Sequence, residues 1–429
     1  MSLSVSVSDD IDNIERWPEA ALRSWQAERL TEVVERARDR VPFYRSLWSR
    51  AGLGNITCDS IDDVRQFPII NKQDLINAGS EWVPGSHARV GFSTRGTSGE
   101  PLVVWLSAEE EDVYIVPTIR GFRWAGFENG QTALLMSPVW HRLAACESHA
   151  VVRMGGRCAF FWGSLGLQYA GEFLSTLRTT RPDFLTTTAP FILALVKYGE
   201  ENRLPLHDLF RSVRAVVAVG LPLTPRTREY IRDRLGVGDV FERGGTQEGA
   251  AIDECRFHSF GHVHEDVCYL EVLDSSGHPV APGQRGRLVV TKLTPTGSVF
   301  VRYDTGDIAA FASEPCRCGC TFRRLKIFGR PESSVEVSGR MITAYDVRLC
   351  VENDPVLVGR NVLLIRPEKR SSGTLSIAIE GVEHDTVAVQ NRLCEKLGVD
   401  EARVVWLGSL RVAWGFRQVI DGREVGLGS

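Results

Sequence analysis

Short apolar runs alternate with helical stretches between about residues 90 and 250, and this alternation limits the possible folds more than any other feature of the chain. Clear runs are TALLMS at 132–137, DFLTTT at 183–188 and RAVVAVG at 214–220, and the last precedes the helix-like stretch TPRTREYIRDRLG at 224–236. Strands that alternate with helices pair in parallel, because each helix carries the chain back along the sheet. The sequence therefore predicts an α/β layer here.

The regions on either side of this layer have different patterns. Residues 18–40 are predicted to form an amphipathic helix, because apolar residues recur three and four positions apart, and Pro42 is expected to end it. Residues 263–311 contain strand-like runs around a turn rich in Gly and Pro, which predicts antiparallel hairpins. The tail after GRPESS (329–334) contains the strand-like runs NVLLIRP and LSIAIEG and the helix-like stretch DTVAVQNRLCEKLG.

A chain of 429 residues is too long for one compact core. The predicted fold class is α/β, with a large N-terminal domain of α/β layers that carries an additional β-rich subdomain. A small, mobile α+β domain is predicted at the C-terminus. We place the large domain at residues 1–329 and the small one, after a hinge, at 330–429.

Composition and charge exclude several classes of function. The net charge of −4 argues against a nucleic-acid-binding protein, which needs a clustered basic surface. No stretch approaches the roughly 18 uninterrupted apolar residues that a membrane span needs. The first residues are polar and acidic, unlike a signal peptide, so we expect a cytoplasmic location. The ten cysteines are then expected to be reduced thiols or metal ligands.

The loop at 93–101, STRGTSGEP, is crowded with glycines and hydroxyl groups. Glycines let several backbone N–H groups point into one concavity, and Thr and Ser add donors, so the loop can wrap a polyphosphate. It lacks the Gly-Lys-Ser/Thr ending of a Walker loop. An ordinary turn between two strands remains an equal alternative for this loop taken alone.

A second loop, Gly244-Gly245-Thr246-Gln247-Glu248-Gly249, combines glycines with one carboxylate. Such a carboxylate can hold Mg²⁺, a hard cation that prefers oxygen ligands. Taken alone, a plain loop with a solvated Glu is the better explanation.

A third motif, VRYDTGD at 301–307, places Asp307 just after a strand-like run and a turn glycine. A carboxylate in this position can accept both hydroxyl groups of a ribose. The alternative is an Asx-type turn, which is common for Asp-Thr-Gly.

A metal site is predicted independently of these loops. Two close pairs of N/S ligands occur in the chain: Cys255 with His258, and Cys316 with Cys318. Zn²⁺ favours four tetrahedral thiolate and imidazole ligands, and four protein ligands would make a closed, structural site. Cys320 could replace one ligand, whereas His262 and His264 are expected to be strand or loop residues. The alternative is four unrelated side chains.

The order and spacing of the three loops, followed by a Gly-Arg-x-acid hinge at 329–332, resemble the adenylate-forming superfamily. Within it, the chain looks like the phenylacetate–CoA ligase family. The opening ERLTEVVERARDRVPFYRSLWSRAGL, the segment RPDFLTTTAPFILAL and the stretch VAVGLPLTP are also similar to that family. The resemblance covers nearly the whole chain.

Residue roles follow from the resemblance by position. It implies a phosphate cradle made of Thr94, Arg95, Gly96, Thr97, Ser98 and Gly99. It implies that the adenine and the acyl pocket are flanked by Gly220, Leu221, Pro222, Gly244, Gly245, Thr246 and Gln247. Glu248 would hold Mg²⁺, Asp307 the ribose hydroxyls, and Arg330 the ribose or phosphate side.

Two further roles are implied by the resemblance. Glu332 would stand at the hinge about which the small domain rotates between the two reaction steps. Trp140 and His141 would belong to the substrate pocket, although an aromatic residue after a strand is more often part of the core.

The chain also departs from the family pattern. Gly244 replaces a tyrosine and Gln247 a threonine, which changes the acid pocket, and Arg95 replaces a serine beside the phosphates. Gly415 stands where the family has a lysine that stabilises charge in the transition state. Arg417 is the nearest cation, and it either reaches in from the same strand face or lies in solvent.

The resemblance implies an ATP- and Mg²⁺-dependent enzyme that activates an acid, expected to be aromatic, and transfers the acyl group to CoA. Its catalytic candidates are Glu248, Arg330 and Arg417. An amine, a carrier protein or an unusual acid such as nitrite, which would make the enzyme a diazotase, remains open as an alternative. A non-catalytic nucleotide-binding protein is a third hypothesis, and a homodimer is compatible with the resemblance.

Overall fold

The structure is a computed structural model, and it describes residues 9–421 apart from 55, 84–88, 95–99, 137–141, 162–166, 259, 295–296, 367–372 and 409–417.

The described helices are α1 (Glu19–Arg40), α2 (Pro42–Arg50), α3 (Lys72–Ala78), α4 (Ala108–Trp124), α5 (Arg142–Arg153), α6 (Ala170–Thr180), α7 (Ala189–Glu201), α8 (Leu206–Phe210), α9 (Pro225–Leu235), α10 (Ala344–Val351) and α11 (Thr386–Leu397). The predicted N-terminal helix is confirmed. It ends at Arg40 because Val41 is extended, and Pro42 then begins α2, where a proline costs no hydrogen bond.

The described strands are β1 (Val90–Ser93), β2 (Val103–Leu106), β3 (Thr132–Leu135), β4 (Arg157–Phe160), β5 (Phe184–Thr188), β6 (Ala215–Val219), β7 (Asp239–Gly245), β8 (Ala251–Asp253), β9 (Gly261–Val263), β10 (Cys268–Leu273), β11 (Gly286–Lys292), β12 (Tyr303–Phe311), β13 (Arg324–Gly329), β14 (Ser334–Val337), β15 (Arg340–Thr343), β16 (Val362–Arg366), β17 (Thr374–Glu380), β18 (Glu401–Leu407) and β19 (Val419–Asp421).

A mixed sheet of eleven strands is the main element of the fold, in the order β10-β11-β12-β13-β9-β8-β7-β6-β5-β3-β4. Strands β3, β4, β5 and β6 pair in parallel, which confirms the predicted α/β layer. Every residue of β3 and β5 is buried, as expected for parallel strands covered on both faces. Strands β10, β11 and β12 form the predicted antiparallel hairpins.

The chain divides into two compact units. The first contains residues 1–130, 139–156 and 243–326, and so includes the antiparallel strands and the hairpin of β1 and β2. The second contains residues 131–138, 157–242 and 327–429. Within the second unit, residues after 330 form a four-stranded sheet in the order β18-β17-β16-β19, with α10 and α11. The domain boundary at 329/330 stays a prediction.

No helix in the described part of the chain combines the length and the apolar character that crossing a membrane requires.

Candidate functional site

The glycine–acid loop begins at the end of β7 and turns back into β8. Gly245 has a φ of +153°, and a Cβ there would lie 2.4 Å from the carbonyl oxygen of Ala250, so the turn requires glycine. The backbone N–H of Thr246 closes the turn on the same carbonyl at 2.9 Å. Glu248 is 7% exposed, which contradicts the alternative of a plain loop with a solvated glutamate.

A buried ion-pair network lies below this loop. Arg243 donates from Nε to Asp253 at 2.5 Å and from Nη1 to Glu147 at 2.8 Å. Burial alone would raise the pKa of Asp253, but Arg243 and His264 outweigh it and hold that pKa below its ordinary value. A Cβ at Gly121 in α4 would lie 2.6 Å from the Asp253 carboxyl group, so helix and strand approach this closely only with glycine there.

Contacts within the first unit connect the glycine–acid loop to the hairpin of β1 and β2, which flanks the predicted phosphate loop. The buried Lys292 side chain runs past Gly249, where an added Cβ would lie 3.2 Å from its Cγ. Lys292 Nζ donates to the carbonyl oxygen of Ser298 at 2.8 Å. Ser298 in turn exchanges two hydrogen bonds with the backbone of Trp105 in β2, at 2.7 and 2.9 Å. These contacts bring β2, the end of β11 and the glycine–acid loop together.

Thr94 is placed at the base of the predicted phosphate loop. Its backbone N–H donates to the carbonyl oxygen of Leu102 at 2.7 Å, and its hydroxyl accepts from the Leu102 N–H at 3.0 Å. These two bonds close the hairpin around residues 95–99. Arg95, Gly96, Thr97, Ser98 and Gly99 themselves lie outside the described residues.

Arg302 is the structural anchor of the 301–307 motif. Its guanidinium binds both carboxylate oxygens of Glu271, at 3.0 and 3.1 Å, and its Nη1 donates to the carbonyl oxygens of Arg65 and Phe67. The backbone of Arg302 has a φ of +50°, which these contacts stabilise. The contacts of Arg302 with Glu271 and with two backbone carbonyl groups therefore hold the start of the segment that leads to Asp307.

Asp307 lies inside β12, at a break in the pairing register, rather than after a strand as predicted. Arg287 in β11 pairs with Ile308 in β12, whereas Val289 pairs with Asp304. Strand β12 therefore has extra residues between Asp304 and Ile308 that have no partner in this register. Such a bulge re-aims side chains and is common next to active sites. Asp307 is 7% exposed, and its backbone N–H binds the Thr305 hydroxyl at 3.1 Å.

The segment at 220–222 follows β6 in the second unit. Gly220 is exposed with a φ of +96°, and Leu221 packs against the apolar core of this unit. The next residues begin α9, where the Thr224 hydroxyl caps the helix by accepting from the Thr227 N–H at 3.0 Å. Trp140 and His141 lie outside the described residues.

The predicted hinge follows β13. Gly329 has a φ of +138°, and Arg330 accepts from the Ser334 hydroxyl at 2.7 Å through its carbonyl oxygen. Glu332 is exposed. The buried Gln418 lies beside Gly329, with its Oε1 3.7 Å from the position of an added Cβ. Arg417 and Gly415 lie outside the described residues.

Four possible metal ligands meet in the first unit. Ligand atoms of Cys255, His262, Cys316 and Cys318 all lie within 4.8 Å of one another. Two thiolates bound to one tetrahedral Zn²⁺ would be about 3.8 Å apart, as follows from bond lengths of about 2.3 Å. The sulfurs of Cys255 and Cys316 are 3.6 Å apart, and Cys318 Sγ is 3.3 Å from His262 Nε2. The cluster therefore fits zinc.

The fourth member of this cluster is His262 and not His258, which corrects the ligand set predicted from the sequence. His258 sits in a turn with a φ of +47°, and its Nδ1 faces Glu254 Oε2 at 3.4 Å. Strand β9 instead returns alongside β8, opposite Asp253, and brings His262 to the two cysteines of the 316–318 loop. Cys320, the predicted substitute ligand, is buried against Ile14 and Phe322.

The surroundings of His262 are compatible with a role as a metal ligand. Its Nδ1 lies 3.1 Å from the carbonyl oxygen of Phe322 and can donate to it, which leaves Nε2 with a lone pair facing Cys318. Burial lowers the pKa of His262 to about 4, so the imidazole is neutral near pH 7. A neutral imidazole is the form that binds metals.

Several charged groups next to the site could not be identified from the sequence. Arg243, Asp253 and Lys292 are ordinary charged residues in the sequence, and the structure buries each of them. One sequence feature that could have indicated a buried charge is Lys292, which lies inside the largely apolar run RLVVTKL.

The mixed sheet, the glycine–acid loop and the bulged Asp307 are features of a nucleotide-dependent enzyme of the adenylate-forming class. Comparison with family models supports this assignment. The family model described as "AMP-binding enzyme" matches residues 79–296, which are about half of the chain. The chain therefore belongs to the family of AMP-binding enzymes, and it is an acid–CoA ligase-like enzyme.

Two relatives and one solved structure give the extent of the similarity. The chain is 27% identical to the phenylacetate–coenzyme A ligase of Thermus thermophilus, over 86% of this chain and 83% of that protein. It is 27% identical to the enzyme of the same name from Pseudomonas putida, over 77% and 75%. A crystal structure of 2-hydroxyisobutyryl-CoA ligase in the postadenylation state has the same fold, with a TM-score of 0.84, 21% identity and coverage of 96% and 92%.

Proposed function

We propose that the enzyme activates a carboxylic acid, preferably an aromatic one, with ATP and then transfers the acyl group to CoA. In the first step a carboxylate oxygen attacks the α-phosphorus and pyrophosphate leaves, giving the acyl-adenylate. In the second step the CoA thiol attacks the acyl carbon and AMP leaves. Positioning and electrostatics suffice for this chemistry, and no nucleophilic side chain is needed.

One observation carries this proposal: the chain of contacts from Trp105 through Ser298 and Lys292 to Gly249. It joins the bases of two loops that were assigned separately to the nucleotide phosphates and to Mg²⁺. The names of the two curated relatives support the aromatic acid and CoA.

The proposed roles of single residues follow this scheme. Residues 94–99 cradle the phosphates, Glu248 holds Mg²⁺, and Asp307 accepts the ribose hydroxyls. Burial of both carboxylates suits binding to cations or hydroxyl groups away from solvent. Mg²⁺ would neutralise the charge that develops on the phosphates.

On the side of the small domain, we propose that Arg330 and Arg417 supply positive charge to the same nucleotide. The position of Gln418 beside Gly329 supports this, because Gln418 directly follows Arg417 and Gly329 directly precedes Arg330. We also propose that Cys255, His262, Cys316 and Cys318 hold a structural zinc ion, which would fix the loop at 316–318 to strands β8 and β9.

Acid-dependent exchange of pyrophosphate into ATP, measured over a panel of acids, tests the activity. We expect exchange with aryl or arylacetic acids and a CoA thioester when CoA is added. Because Glu248→Gln removes the proposed Mg²⁺ ligand, we expect it to lower the exchange rate about tenfold or more. Glu28→Gln, on the exposed face of α1, serves as the matched control.

Two results of this assay would contradict the proposal. One is the absence of exchange with every carboxylic acid. The other is mass analysis that finds an amide, a carrier-bound acyl group or a product of nitrite activation in place of the thioester, which would favour the alternative acceptor or acid.

A further inference from the structure

The end of β11 lies next to all three elements that were assigned to the nucleotide. Thr291 and Lys292 are the last two residues of this strand, and their side chains point to opposite faces of the sheet, because side chains alternate along a strand. Thr291 is 0% exposed and Lys292 is 1% exposed. Two neighbouring residues can therefore contact motifs that lie far apart in the sequence.

Thr291 contacts the 301–307 motif. Its hydroxyl oxygen accepts a hydrogen bond from the backbone N–H of Arg302 at 3.0 Å. Arg302 is the residue whose φ of +50° starts the segment that leads to Asp307. This bond therefore ties the start of the third motif to β11.

The stem of Lys292 packs against the glycine–acid loop at Gly249, the residue that follows Glu248. Gly249 has a φ of +125°, and a Cβ there would lie 3.2 Å from Lys292 Cγ and 3.2 Å from the hydroxyl oxygen of Tyr114. Only a glycine backbone can approach the two side chains this closely. The part of the loop that carries Glu248 is therefore supported by the Lys292 stem.

The head group of Lys292 reaches the hairpin of β1 and β2 through Ser298. Lys292 Nζ donates to the carbonyl oxygen of Ser298 at 2.8 Å. The Ser298 hydroxyl accepts from the Trp105 N–H at 2.9 Å, and the Ser298 N–H donates to the Trp105 carbonyl oxygen at 2.7 Å. One side chain thus connects the glycine–acid loop to strand β2.

Packing alone does not explain a lysine at this position. Lysine is almost never fully buried, because its charged head group loses its contacts with water. Methionine is flexible, apolar and similar in length, so it would fill the same space without this cost. A methionine could not donate to the Ser298 carbonyl group, however. The head group of Lys292 is therefore the part of the side chain that needs a functional explanation.

We propose that Lys292 is a positioning residue that sets the distance between the glycine–acid loop and the β1–β2 hairpin, and so between Mg²⁺ and the phosphates of ATP. This inference rests on the proposed function, because it takes these two elements to bind Mg²⁺ and the phosphates. The distance matters, since a displacement of about 1 Å can lower a rate roughly a hundredfold. Gly244 and Gly245, which are proposed to lie beside the acid, are held separately by their pairing with β8.

Lys292→Met tests this role, because it keeps the stem but loses the bond to Ser298. The apparent KM for ATP in pyrophosphate exchange should rise about tenfold, as loss of a charge-assisted hydrogen bond predicts. The apparent KM for the acid should change much less, whereas a general loss of structure would affect both constants alike. Lys396→Met, at an exposed position of α11, is the matched control and should behave as the unmodified protein.

Ser298→Ala is the second variant. It removes the hydroxyl that accepts from Trp105 and leaves Lys292 intact, and it too should raise the apparent KM for ATP. In the double variant the rise should be smaller than the product of the two single effects, because both substitutions break one chain of contacts. Thermal unfolding shows whether each variant is folded, and Ser298→Ala carries the test if Lys292→Met is not.

Hydrogen–deuterium exchange on the full chain tests the positioning without any activity. The Trp105 amide is bonded to the Ser298 hydroxyl, and the Gly249 amide to the carbonyl oxygen of Thr246. In Lys292→Met we expect faster exchange in the peptides that contain these two amides. Exchange in β5 should not change.

The outcomes separate the two proposals. Unchanged exchange in both peptides would overturn the positioning role of Lys292, whatever the activity. Faster exchange in a protein whose unmodified form activates no acid would support the positioning and reject the proposed function. An unchanged KM for ATP, or equal rises in KM for ATP and for the acid, would overturn the link between Lys292 and the nucleotide site.

Discussion

Asp304 and Asp307 lie three residues apart in β12, in different surroundings. The Asp304 carboxylate forms an ion pair with Arg287 at 2.6 Å and accepts a hydrogen bond from the Gly306 N–H at 2.9 Å. Both contacts stabilise the local fold. Asp307 lies beyond the turn, at the break in register, and is buried. Asp304 thus has a structural role in the turn that precedes Asp307.

Asp307→Ala should weaken ATP binding at least about tenfold, because a charged acceptor of two hydroxyl hydrogen bonds is lost. Isothermal titration with ATP and Mg²⁺ measures the affinity. Asp304→Asn is the control, since it keeps the oxygen that accepts from Gly306 and should leave the affinity within about twofold. Equal losses in both variants, or no loss in Asp307→Ala, would refute the assignment of Asp307.

At the scale of elements, the metal cluster depends on how three segments meet. Strand β8 leads to Cys255, strand β9 presents His262, and a separate loop supplies Cys316 and Cys318. The spacing Cys-x-x-His suggested His258, but a left-handed turn directs that residue toward Glu254. The short Cys-x-x-His spacing therefore did not predict which histidine lies next to the cysteines in the folded chain.

His262→Ala should therefore lower the zinc content below half an equivalent, whereas His258→Ala should retain about one equivalent, as the unmodified protein should. Elemental analysis after careful purification measures both. The opposite result, with zinc lost in His258→Ala and kept in His262→Ala, would contradict the ligand set of the structure. Less than half an equivalent in the unmodified protein would remove the zinc proposal altogether.

The elements themselves were largely predictable from sequence. Apolar runs such as 183–188 and 214–220 became buried parallel strands, and the Gly/Pro turn before β11 separated the predicted hairpin strands. These features depend on local patterns. The buried pairing of Arg243 with Asp253 and Glu147 was not predictable, because it depends on contacts up to 96 residues apart.

At the scale of the whole molecule, the chain divides into two compact units. The sheet brings the glycine–acid loop and the bulge at Asp307 into one unit, while the C-terminal segment keeps its own core. The domain boundary at 329/330 stays a prediction, and the main core of the C-terminal segment begins at Val335. The residues proposed to complete the site, among them Thr97 and Arg417, could be assigned only by resemblance, because they lie outside the described residues.

The proposed function requires that three distant loops bind one nucleotide, and a crystal structure of the enzyme with ATP, Mg²⁺ and an activated acid tests this most directly. We expect the ribose at Asp307, the metal ion at Glu248 and the phosphates within the 94–99 loop, or acyl-adenylate density at the same place. A nucleotide bound elsewhere, with Thr97, Glu248 and Asp307 on unconnected surfaces, would contradict the central claim.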